Sequence, residues 1–131
     1  MWSFETDPGF QSELDWIRDF TRSEIEPLDE LLGSQWNIHD PLFVKRVRPL
    51  QEQVKRRGLW ACHLGPDLGG KGYGQLKLAL MNEQFGRSRF GPITFGSQAP
   101  DTGNSEILAQ YGTDGAPPLA VRARNSPSAR T

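Results

Sequence analysis

One stripe of apolar residues constrains this chain more than any other feature. Phe10, Leu14, Ile17, Phe20 or Thr21, Ile25 and Leu28 recur every three or four positions. That spacing keeps them on one face of an α-helix of about five turns. The opposite face carries Glu13, Asp15, Arg18, Asp19, Arg22 and Glu26, so the helix must bury one side against something and leave the other in water. Thr6-Asp7-Pro8 sets its start: a short polar side chain accepts hydrogen bonds from the first free amides, and a proline at the first helical position loses nothing by lacking its own. Pro27 is expected to kink or end this helix, and Gly33 to close it.

The same logic repeats downstream. Asp40-Pro41 opens a second stretch with Phe43, Val44, Val47, Leu50 and Val54, interrupted at Pro49 and closed by Gly58 as a C-terminal cap. A loop from Leu64 to Gly74 holds five glycines and a proline. Gln75 to Phe85 returns to helical spacing through Leu76, Ala79, Leu80 and Met81. A short segment, Pro92 to Ala99, precedes a last one capped by Asp101, running through Ile107 and Leu108 to Tyr111 and stopped by Gly112. Runs that alternate apolar and polar residues, as a half-buried strand requires, are missing. The expected fold is therefore all-α, a bundle-like domain of about five helices.

With 131 residues, one domain is expected and no disulfide or metal staple is needed to stabilise it. Up to Asp114 the chain holds twelve basic and sixteen acidic residues, and after it only Arg122, Arg124 and Arg130 are charged. Periodicity also stops there. Residues 115–131 are rich in proline, serine and arginine and carry no apolar stripe, so an irregular, disordered tail is expected after a domain covering residues 1–114. The overall balance gives a formal net charge of −1, which does not support a polyanion-binding surface, and no nucleic-acid partner is expected. Cys62 is the only cysteine, excluding an internal disulfide. The first residues are acidic where a signal peptide is basic, and no apolar run approaches the length of a membrane span. A soluble, cytoplasmic protein is expected.

Several residues invite a functional reading and a plainer one. Gly65, Gly70 and Lys71 match most of a phosphate-binding loop, but Gly72 stands where Ser or Thr must hold Mg²⁺ and a helix stands where a strand must aim the loop. A tight connection between helices is the simpler reading. Glu83 and Glu106 lie in separate helices with no acid–base partner placed by spacing. His39 sits beside a helix cap. Cys62 and His63 are adjacent, so their side chains diverge, and no second cysteine completes a metal set. Neither a catalytic residue nor a metal ligand is assigned. Trp2, Trp16, Trp36 and Trp60 are expected to be core or interface anchors.

The order of these pieces resembles the N-terminal helical domain of the acyl-CoA dehydrogenase family over residues 7–114. The matching stretches are Glu24-Ile25-Glu26-Pro27; Gly58-Leu59-Trp60 through Pro66-Asp67-Leu68-Gly69-Gly70-Lys71-Gly72; Met81-Asn82-Glu83 before Gly86-Arg87-Ser88; and Ile107-Leu108 leading to Tyr111-Gly112-Thr113. Gly96-Ser97-Gln98-Ala99-Pro100-Asp101-Thr102-Gly103-Asn104 resembles most the branch with the long-chain and hydroxyacyl-type enzymes. The resemblance implies an FAD-dependent α,β-dehydrogenation of acyl-CoA thioesters in which a glutamate base removes the α-proton. It also implies that this chain supplies one wall of the acyl pocket, around Phe95, Gly96, Gln98, Ala99, Thr102 and Gly103.

The family's flavin-binding middle-domain motifs and its glutamate base have no matching positions here, so the cofactor-binding residues are unknown and FAD is not expected to bind this chain alone. Nor is either Glu83 or Glu106 promoted to the base. After Asp114 the family pattern gives way to the proline- and arginine-rich tail, which suggests a shifted reading frame or a truncated product. A helical domain that normally packs against others is expected to self-associate through exposed apolar surface. A non-catalytic helical binding or assembly module is the alternative function.

Overall fold

A computed structural model of the chain describes residues 5–34, 37–68, 70–99 and 101–112. The tail at 115–131, Trp2 and Trp36 lie outside the described residues. All regular structure among the described residues is helical: α1 (Pro8–Phe20) continues through a π-helical turn (Thr21–Ile25) into α2 (Glu26–Leu32), followed by α3 (Pro41–Arg56), a 3₁₀ turn (Pro66–Leu68), α4 (Gly74–Phe85), the one-turn α5 (Gly91–Thr94) and α6 (Asp101–Tyr111). With α1 to α2 taken as one continuous helix, the all-α expectation of about five helices holds.

The N-terminal caps form as the sequence predicts. Asp7 has extended backbone, and its Oδ1 accepts the Phe10 amide at 2.9 Å; Asp40 Oδ1 accepts the Leu42 amide at 2.8 Å. Asp7 also receives Lys77 Nζ at 2.8 Å, which ties α1 to α4. The Lys77 hydrogen bond first, and the Phe10 amide second, hold the Asp7 carboxyl below its ordinary value of 3.8. A depressed folded-state pKa stabilises the fold above the unfolded value, and the benefit is lost as pH falls through the lower folded one. Asp7→Asn is therefore expected to lower Tm at neutral pH and to flatten the acid limb below about pH 4, as read by thermal melts across that range.

The prolines act less drastically than expected. The helix neither ends nor breaks at Pro27. Instead its ladder widens one turn earlier, where the Glu26 N–H reaches back five residues to the Thr21 carbonyl. A π turn spreads the backbone where the proline ring would crowd the preceding turn, and α2 resumes with Pro27 in its first turn. Gly33 then ends α2 with φ +65°. α3 runs unbroken through Pro49, which lies on its exposed face, where water can serve the carbonyl left without an amide. At the end of α3 the Gly58 N–H bonds the Lys55 carbonyl and the Leu59 N–H the Val54 carbonyl. That paired arrangement is a Schellman cap with glycine at its left-handed position.

The core is one cluster: Phe10, Leu14, Ile17 and Phe20 from α1, Ile25 and Leu28 beyond it, Phe43, Val47, Leu50 and Val54 from α3, and Leu59, Cys62, Met81, Phe85, Phe90 and Phe95. Both predicted stripes therefore face inward, except that Val44 is half-buried at the edge of the α3 stripe. Phe95 closes the cluster, stacked on Phe85 at 4.7 Å between ring centroids and edge-on to Phe20 at 6.3 Å. Trp16 and Trp60 are half-buried and pack on the cluster from outside. In α4 the inward residues are Met81 and Phe85, with Leu78 and Leu80 partly covered, while Leu76 and Ala79 of the predicted stripe face out. The segment 92–99 is helical only as far as Thr94, and α6 begins ahead of its expected cap, since the Thr102 amide already bonds the Gln98 carbonyl. No described α6 side chain enters the core cluster.

Candidate functional site

Where α6 passes α4, the two helices and the turn at residues 61–64 leave an open cleft of about 350 Å³. α4 presents Gln75, Leu78, Met81, Asn82 and Phe85 to it; Thr102, Gly103 and Glu106 come from α6, and Cys62 and His63 from the turn. The turn is held tightly: Ala61 takes φ +51°, its amide bonds the Phe95 carbonyl at 3.0 Å, and its carbonyl accepts the Leu64 amide at 3.1 Å. That geometry pushes the neighbouring side chains of Cys62 and His63 toward the cleft.

Their chemistry differs. Cys62 is buried, its Sγ donates to the Leu59 carbonyl at 3.2 Å, and burial pushes its pKa up to about 12. A thiol so far from ionisation is not a nucleophile at neutral pH. His63 is half-buried, and both ring nitrogens are covered without a hydrogen-bond partner among the described residues. Burial lowers its pKa, against the opposing pull of the Glu106 carboxylate and the Thr102 backbone. A depressed histidine favours the neutral ring in the folded state, so stability is full above the unfolded value of 6.5 and declines as pH falls below it. His63→Leu is expected to remove that decline, which denaturant titrations on both sides of the window would show.

The six predicted site residues fall into two groups. Thr102 and Gly103 line the cleft, and Gly103 has nothing within 4 Å of where a Cβ would stand, so the α6 backbone offers open space. Gln98 is half-buried with Oε1 covered and unpartnered among the described residues, and Ala99 is exposed. Phe95 and Gly96 do different work. The Phe95 ring is wholly in the core, and Gly96, at φ +67°, lies so close beneath Trp60 that a Cβ would stand 2.7 Å from its ring. Both anchor the segment rather than face the cleft. Glu106, set aside on spacing, is brought to the cleft beside His63; Glu83 is exposed, as is His39. Cys62 and His63, set aside because adjacent side chains were expected to diverge, both line the cleft, since the tertiary turn at 61–64 places them there together.

The glycine loop is not a phosphate cradle. A Cβ at Gly70 would stand 1.7 Å from the Leu64 carbonyl oxygen, and one at Gly72 would stand 2.6 Å from the Pro66 ring. These glycines let the chain fold back on itself, and their small size is spent on internal packing. No group of three or more potential metal ligands occurs among the described residues, and no helix among them is long and apolar enough to cross a membrane.

No family model matches the chain, and no solved structure does. Among curated proteins, the chain is 45% identical over 103 residues to acyl-CoA dehydrogenase family member 11 of Pongo abelii, a match spanning 75% of this chain and 13% of that protein. It is 40% identical over 109 residues to the protein of the same name from Rattus norvegicus, covering 79% of this chain and 14% of the relative. With acyl-CoA dehydrogenase family member 10 of Mus musculus it shares 36% identity over 118 residues, or 82% of this chain and 11% of the relative. The chain thus spans about one-seventh or less of the length of these relatives. The residues that build its two apolar stripes, its glycine-rich loop and its cleft-side segment lie on a chain that belongs to the acyl-CoA dehydrogenase family.

Proposed function

We propose that this chain serves as the helical wall of an FAD-dependent acyl-CoA dehydrogenase, an enzyme that introduces a double bond between the α and β carbons of an acyl-CoA thioester, and that it is inactive alone. The observation that carries this reading is the segment from Phe95 to Gly103. Phe95 and Gly96 fix it to the core and to Trp60, while Ser97, Thr102 and Gly103 present small or polar surface to the cleft. Small residues let an apolar chain approach the backbone closely. FAD does not fit the described residues by themselves: Gly70 and Gly72 of the glycine loop are consumed by packing against Leu64 and Pro66, and none of these residues forms a cradle for a pyrophosphate. Neither Glu83 nor Glu106 acts as the base in this reading. The flavin and the base come from parts of the family that these residues do not represent.

A second reading is favoured by exposed apolar surface. Leu76 on α4 is 62% exposed, and Ile107 and Tyr111 on α6 are 60% and 80% exposed. Surface of this kind on two neighbouring helices suits a binding or assembly module, and in the isolated chain it promotes self-association.

A chimera separates the two. Residues 7–112 of this chain replace the matching stretch of human acyl-CoA dehydrogenase family member 11. The first reading expects a yellow, flavin-loaded protein that oxidises acyl-CoA and whose chain-length preference changes on Gly103→Leu. A chimera that folds and holds flavin but neither turns over acyl-CoA nor responds at Gly103 supports the second.

A further inference from the structure

We infer that the outer face of α3 is a docking surface for an anionic lipid bilayer. The inner face of this helix, with Phe43, Val47, Leu50 and Val54, is spent on the core. At about 100° per residue, Lys45, Arg48 and Arg56 project from the opposite half of the helix, Arg46 stands on the flank beside Leu42, and all four are exposed. None of them makes an ion pair with the described residues, unlike Lys55, which pairs with Glu52 at 2.9 Å, and Arg57, which pairs with Glu13 at 3.1 Å and covers Trp16. Glu52 is the only acid within α3. The charge is thus concentrated in a chain whose formal net charge is −1.

The shape of the face selects among anionic partners. It is the convex side of a single helix, suited to a broad surface more than to an inserted segment. At its N-terminal end, Leu42 is 38% exposed, and Ile38, just before the helix, is 50% exposed. Cations along a helix with apolar side chains at one end match the interfacial layer of a bilayer, where lysines and arginines meet anionic headgroups and the apolar groups enter the acyl boundary. An acidic protein surface would satisfy the charge but leave Ile38 and Leu42 in water. The result is a helix that lies on a membrane without crossing it.

The test is co-sedimentation of the full 131-residue chain with vesicles of phosphatidylcholine alone or mixed with phosphatidylserine, at low and high salt. The expected result is binding roughly tenfold or more stronger to the phosphatidylserine vesicles, lost at high salt and lost in Arg46→Glu/Arg56→Glu. Arg22→Glu, which reverses an exposed cation on another element, is expected to bind as the parent does. Arg46→Gln/Arg56→Gln gives a milder variant, and circular dichroism checks that each keeps its helix. Equal binding to both vesicle types, binding that survives the reversal in a folded protein, or a preference for duplex nucleic acid over the phosphatidylserine vesicles overturns the inference.

Discussion

Phe95→Ala is expected to cost about 3–5 kcal/mol of unfolding free energy, a large fraction of what a domain of this size has to lose. The ring is fully buried, stacked on Phe85 at 4.7 Å and edge-on to Phe20 at 6.3 Å, so removing it empties the point where the first helix, α4 and the cleft-side segment meet. Truncation forfeits the transfer free energy of the ring and leaves a cavity that three separate elements must close together. Urea titration of the variant should show a midpoint far below that of the parent, with a partly unfolded population in plain buffer. Had Phe95 been a free wall of an acyl pocket, its removal would be nearly silent for folding. Gly103→Ala supplies the contrast: the site is exposed, helical and open to a Cβ, so relief of glycine's backbone entropy should stabilise α6 by about 1 kcal/mol.

Gly91→Ala is expected to be comparably damaging, at about 3 kcal/mol, although it adds one methyl group. A Cβ there would stand 1.7 Å from the Phe85 carbonyl oxygen and 2.6 Å from its carbon. These are backbone atoms at the end of α4, so no side-chain rotation relieves the overlap. Either α4 unwinds its last turn or α5 moves away, and both routes pull Phe85, Phe90 and Phe95 from the cluster they share. The expected signature is a lower midpoint with loss of aromatic near-ultraviolet dichroism. A variant as stable as the parent, with that dichroism unchanged, would mean that the α4–α5 corner is not packed as described.

What the sequence foretold was the part set by local chemistry. Asp7-Pro8 and Asp40-Pro41 began helices because the carboxylate oxygens have amides to accept within their own first turns, and the stripes of α1 and α3 faced inward because a period near 3.6 permits little else. Where two or more elements had to agree, local reading fell short. Pro27 was absorbed by a π turn whose Thr21 and Ile25 are both wholly buried, an arrangement that spacing along the chain does not announce. In α4 the apolar residues are spread around the helix, so spacing put Met81 in the stripe but left Phe85 out of it and included Leu76 and Ala79, which face out. The cleft was half readable: Thr102 and Gly103 line it, Phe95 turned into the core, and His63 and Glu106 met across it only because a turn and a helix far apart in the chain come together.

The central claim is that these helices form a wall whose chemistry is supplied by other parts of its family. The most direct measurement incubates the purified chain with FAD and an acyl-CoA, removes free flavin, and records visible absorbance together with reduction of an electron acceptor. The account predicts a colourless helical protein that reduces nothing. A stoichiometrically yellow protein that oxidises the thioester would contradict it.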